Sequence, residues 1–88
     1  MKEYALAVFR SRQHTMLLYE KLKSAGLKVS LVHTPSEIAI GCGLSMRFET
    51  GDYEKVRRQQ RMLPGLSFVG YFRVRSEGTR LRCEPFSR

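Results

Sequence analysis

Tyr4-Ala5-Leu6-Ala7-Val8-Phe9-Arg10-Ser11 decides how the chain folds. From Tyr4 to Phe9 the run is apolar on both faces of a two-residue period, the pattern of an interior strand covered on either side. Ser11 then offers a hydroxyl of the kind that caps helix N-termini. Beyond it, Thr15, Leu18, Leu22 and Ala25 recur at helical spacing. Gly26 supplies the left-handed stop, with Lys21 and Lys23 near the negative end of the helix. The opening unit is therefore a strand followed by a helix.

Working outward, Lys28 to Val32 reads as a short strand. The connection from His33 to Gly43 is long for a hairpin, with a helical turn expected around Ser36 to Ala39, and such length points to a functional loop. Leu44-Ser45-Met46-Arg47-Phe48 alternates strictly, so Leu44, Met46 and Phe48 are expected inside while Ser45 and Arg47 face outward. Thr50 is positioned to cap a second helix whose inward stripe is Tyr53, Val56, Gln60 and Leu63, and Pro64-Gly65 stops it. Leu66 to Val74 supplies the last strand. The order β-α-β-β-α-β predicts a ferredoxin-like α+β sandwich, a four-stranded antiparallel sheet with two helices on one face. Residues 1–75 form this domain, and 76–88 form a polar basic tail that is flexible or adds an extra edge strand.

With 88 residues the core is modest and any chemistry lies near the surface. A hydrophobic share of 42% argues for a folded chain. No apolar stretch approaches the roughly 20 residues of a membrane span, and the start lacks the apolar core of a signal peptide, so a cytoplasmic address is expected. In that compartment Cys42 and Cys83 are free thiols. The spacing of the two cysteines with His14 and His33 matches no zinc pattern, and no cofactor is implied. The net charge of +8 favours anionic partners, whether acidic protein, nucleic acid or small anion.

Cys42 is the residue with chemical promise, because Gly41 and Gly43 let a loop aim backbone N–H groups at its sulfur and Arg47 can add positive charge. The same residues also suit a tight turn with Cys42 as a small buried hydrophobe. His14, near the start of the first helix, is a candidate base for Cys42, or else a solvated residue making a local cap. Cys83 is a resolving thiol or an inert tail cysteine. Lys55, Arg57, Arg58 and Arg61 lie along one side of the second helix, which keeps nucleic-acid binding open, although outward aromatic pairs of the kind used to read RNA are missing from Leu44 to Phe48. A protein-interaction module, dimerising through an edge strand, is a further reading. No Ser-His-Asp order, paired acids or phosphate-binding glycine loop is present, so a carrier or accessory role is favoured over an autonomous enzyme.

The segment Thr34-Pro35-Ser36-Glu37-Ile38-Ala39-Ile40-Gly41-Cys42-Gly43-Leu44-Ser45-Met46-Arg47-Phe48 resembles the signature of the selenium/sulfur-carrier-like family. Phe9-Arg10-Ser11 with His14, Glu20-Lys21, Ala25-Gly26-Leu27 and Gly70-Tyr71 fit the same pattern, so the resemblance runs from about Tyr4 to Val74. It implies that the Cys42 thiolate takes sulfane sulfur or selenium from a donor persulfide and passes it to an acceptor. The basic surface suits an acidic donor or acceptor protein of sulfur or selenium metabolism. Family members usually place an arginine directly after the loop proline. Here that position is Ser36, so the positive charge beside the thiolate falls to Arg47 or Arg12.

Overall fold

The computed structural model describes residues 2–38, 40–63 and 67–86. Strand β1 (Lys2–Phe9) leads into helix α1 (Arg12–Ser24), followed by β2 (Val29–His33), β3 (Leu44–Phe48), a 3-10 turn (Thr50–Asp52), α2 (Tyr53–Arg61), β4 (Phe68–Glu77) and β5 (Arg80–Pro85). The sheet order is β2-β3-β1-β4-β5, with each neighbouring pair antiparallel.

Local chemistry accounts for the ends of α1. The Ser11 hydroxyl accepts from the His14 amide. At the other end Gly26 adopts φ +85°, so that the Leu27 amide reaches the Leu22 carbonyl and the Gly26 amide the Lys23 carbonyl, a Schellman closure that a residue with a Cβ resists. The start of α2 departs from expectation. Thr50 makes no side-chain cap; the Asp52 amide bonds to Glu49 O at 2.8 Å, tightening Thr50–Asp52 into a 3-10 turn ahead of the helix. The expected stop at Pro64-Gly65 and the Leu66 start of the last strand lie outside the described residues.

Among the described residues five strands, not four, make the sheet. β4 runs on to Glu77, and Gly78, at φ +63°, doubles the chain back. Arg73 then opposes Glu84, and Glu77 opposes Arg80, opposite-charge pairs that favour this register, while the like-charged Arg75–Arg82 pair disfavours it. β5 thereby covers the edge of β4, and the outer edges of the sheet are β2 and β5.

On one face, Ala5, Ala7, Phe9, Met46, Phe48 and Tyr71 pack against Leu18 and Leu22 of α1 and Val56 of α2. The opposite face was expected to stand open, but the loop between β2 and β3 folds back across it. Ile38, only 7% exposed, sits among Leu6, Val8 and Val74, burial that contributes about 2 kcal/mol. Ser45 is consequently fully buried rather than outward-facing. Its hydroxyl is satisfied by that of Thr34, brought in by the same loop.

Candidate functional site around Cys42

The loop reaches Cys42 through two residues that only glycine suits. Gly41 has φ +105° and Gly43 φ +86°, conformations that oppose a Cβ. The two differ in surroundings. A Cβ at Gly41 would lie 2.7 Å from Val8 Cγ1 and 3.1 Å from the Phe9 carbonyl, whereas one at Gly43 would meet open space. Gly41 therefore lies flat on the end of β1.

Two backbone bonds hold the segment there. The Cys42 amide donates to the Phe9 carbonyl at 3.0 Å, and the Thr34 amide donates to the Gly43 carbonyl at 2.9 Å. The first ties Cys42 to the β1–α1 junction; the second closes the loop on its own start. Cys42 is left half-buried as a free thiol.

Its sulfur faces α1. Cys42 Sγ–H donates to the Leu44 carbonyl at 3.4 Å, and the Thr15 hydroxyl lies 3.8 Å from the sulfur. Thr15 is completely buried, with Oγ1 3.2 Å from the Ser11 carbonyl and 3.4 Å from that of Leu44. A hydroxyl rotates to suit its partners, so Thr15 can donate to a carbonyl while the sulfur is a thiol and turn to the sulfur when it is an anion. The sequence leads one to expect N–H groups at the sulfur. Among the described residues its hydrogen-bond partners are instead a carbonyl and a hydroxyl, and its own amide is engaged by Phe9.

The other candidate residues are spread out. His14 Nδ1 accepts from the Ser67 amide at 3.0 Å and lies 2.9 Å from the Ser67 hydroxyl, which in turn accepts from the Ser11 amide. With Nδ1 accepting, the ring proton of the neutral imidazole is on Nε2. These bonds pin the first turn of α1 to the residue before β4. Arg47 is exposed near the far end of β3 from Cys42, its guanidinium 4.1 Å above the Tyr4 ring. Arg12 is exposed at the first position of α1. Cys83 is half-buried on the face opposite α1, at the β5 edge of the sheet, paired with Val74 and packed against its cluster with Leu6, Val8 and Ile38. Burial, and then the Glu37 carboxylate, push its thiol pKa up. The structure does not bring Cys83 to Cys42.

Thr15 is the site residue that sequence reasoning missed. Its signal was a hydroxyl on the otherwise apolar stripe of α1 with Leu18 and Leu22, since a buried polar group needs partners.

Among the described residues no three His, Cys, Asp or Glu side chains are grouped to hold a metal ion, and no helix is long and apolar enough to cross a membrane. No curated protein and no solved structure matches the chain. A family model described as "Putative Se/S carrier protein-like" does match, over residues 4–61. That span runs from β1 to the end of α2 and takes in the whole Cys42 loop together with Thr15. By this match the chain belongs to the Se/S carrier protein-like family.

Proposed function

We propose that this protein carries sulfane sulfur or selenium on Cys42 and hands it between partner proteins. The observation that supports this most directly is the setting of Cys42, a half-buried thiol whose backbone is fixed by the Phe9 carbonyl and whose sulfur has the buried Thr15 hydroxyl 3.8 Å away. In loading, the Cys42 thiolate attacks the outer sulfur of a donor persulfide R–S–SH. The S–S bond of the donor breaks, R–S⁻ leaves, and Cys42–S–SH forms. Unloading is the same exchange in reverse sense: an acceptor thiolate takes the outer sulfur and Cys42 departs as thiolate. Neither step needs an external oxidant or reductant. Ionisation of Cys42 gives up the bond to the Leu44 carbonyl, and the Thr15 hydroxyl supplies a donor to the anion in its place.

The net charge of +8 suits an acidic donor or acceptor, in the cytoplasm, where thiols stay reduced. We read the fold as a ferredoxin-like sandwich, β4-β1-β3-β2 with α1 and α2 on one face, extended by β5. In that frame the loop between β2 and β3 is the arm that presents the cargo.

Mass spectrometry after incubation with a small-molecule persulfide tests the reading. The wild type and Cys83→Ser should each gain one sulfur atom, and Cys42→Ser should gain none. No gain on the wild type, or a gain that survives Cys42→Ser, would sink it.

A further inference from the structure

The helix face of the sheet is unevenly filled. α1 packs on β1, β2 and β3, whereas α2 is nine residues long and leaves a groove of about 620 Å³ between itself and the start of β4. Aromatic rings form its walls. Tyr53 stacks on Phe86 with centroids 4.2 Å apart and planes at 8°. Tyr71 stands edge-on to Tyr53 at 5.1 Å, and Phe68 meets Tyr71 at 4.7 Å. From α2, Arg57, Gln60 and Arg61 line the same groove, as their spacing of three and four residues dictates.

These polar groups are poorly satisfied by the protein itself. Arg57 reaches Glu54 only at 3.9 Å, and that carboxylate is 73% exposed. Among the described residues Arg61 has no carboxylate partner. The Gln60 carboxamide accepts from the Tyr71 hydroxyl at 3.5 Å, the outer limit of a hydrogen bond. Arg73 also lies 4.6 Å from the Phe86 ring centroid, but its guanidinium is paired with Glu3 at 2.8 Å, so the charge left for the groove is that of Arg57 and Arg61.

Each element has a matching chemistry. Paired guanidiniums bind phosphate oxygens in a fork. A glutamine carboxamide offers one donor and one acceptor to the edge of a base. Aromatic walls stack on any planar base. An acidic peptide would satisfy the arginines but offers the aromatic walls no flat ring to stack on. We propose that the groove between α2 and β4 binds a nucleoside phosphate, the phosphate on Arg57 and Arg61 and the base against the aromatic wall beside Gln60. The ligand is a free nucleotide or one unit of a single strand, which share this chemistry. None of these residues takes part in sulfur carriage, so this inference stands apart from the reading of Cys42.

Titration of the full chain, followed through its backbone amide NMR signals, tests it with three probes: adenosine monophosphate, a single-stranded oligoadenylate and inorganic phosphate. Saturable shifts at Arg57, Gln60, Arg61 and Tyr71 are expected with at least one nucleotide probe and not with phosphate alone at equal concentration. Saturation by the monophosphate identifies a free-nucleotide site, and saturation by the oligomer alone a strand site. Arg61→Glu, at an exposed position, should weaken binding at least about tenfold, while Lys55→Glu, the same charge change outside the groove, should leave it within about twofold. No saturable shift with either nucleotide, shifts reproduced by phosphate alone, or equal weakening by Lys55→Glu would each overturn the proposal.

Discussion

Thr15 Oγ1 lies 3.8 Å from Cys42 Sγ, although the two residues are 27 apart in the chain. The contact exists because Ser11 starts α1 immediately beside the point where the Cys42 amide meets the Phe9 carbonyl. Helix start and cysteine loop therefore share one anchor, the end of β1.

Thr15→Val keeps the bulk of the side chain and removes the hydroxyl. We expect sulfur uptake by Cys42 to slow about fivefold, the rate equivalent of one hydrogen bond of ~1 kcal/mol, with a similar loss of stability. Thr15→Ser should restore the rate. Uptake timed by mass spectrometry on all three proteins checks this, and a Val variant as fast as wild type would remove Thr15 from the chemistry.

The two glycines beside Cys42 should respond unequally to alanine. Gly43→Ala meets open space at φ +86° and should cost about 1–2 kcal/mol in backbone strain. Gly41→Ala carries similar strain and also drives a methyl to 2.7 Å from Val8 Cγ1, which adds about 1–3 kcal/mol. Urea unfolding of the pair should rank Gly41→Ala as the more damaging.

Ile38 anchors the loop to the sheet among Leu6, Val8 and Val74. Ile38→Ala should cost about 2–3 kcal/mol, near the low end for core truncations because the loop can settle. The loop should also become sensitive to proteases, cut near Ile40, which is already 47% exposed. A variant as resistant to cleavage as wild type would show that something other than Ile38 holds the loop down.

Burial raises the Tyr71 phenol well above its ordinary range, with nearby Tyr53 adding to the effect and the Arg57 and Arg61 charges opposing it. The unfolded chain ionises this tyrosine from about pH 10, while the folded chain resists. Its stabilising effect is thus complete below pH 10 and is lost as pH rises beyond it. Tyr71→Phe should lose stability less steeply between pH 9 and pH 11 than wild type in urea melts. The difference should stay below the ~1.4 kcal/mol per pH unit of one full proton, since solvent screens part of the effect.

Much of the frame was legible because its signals are local. The apolar run from Tyr4 to Phe9 and the stripe of Thr15, Leu18 and Leu22 each follow from residues within a few positions of one another and lie where the pattern puts them, whereas Ala25, read as the end of that stripe, is the exposed C-cap. Ser45 was misread because its burial depends on a loop that returns from elsewhere, and alternation within Leu44 to Phe48 carries no trace of that. The fifth strand was left undecided for a related reason: Arg80 to Pro85 is polar, and its place is set by pairing with β4 rather than by its own pattern. At the site, the glycines announced a special loop around Cys42. The hydroxyl facing the sulfur was concealed in a helix stripe, where a threonine reads as core.

The position of β1 also governs how the protein is made. β1 lies between β3 and β4, so within this domain it has no neighbour to pair with until β3 has been made, and its register with β4 waits until α2 and β4 have followed. Until then the apolar run from Tyr4 to Phe9 is exposed to chaperones and to other nascent chains. The ladder from Lys2↔Ser76 to Phe9↔Phe68 therefore forms only once β4 has been made. Slowing translation across β4 should lengthen the interval in which β1 can aggregate, making this strand the weak point of biosynthesis as well as the centre of the finished sheet.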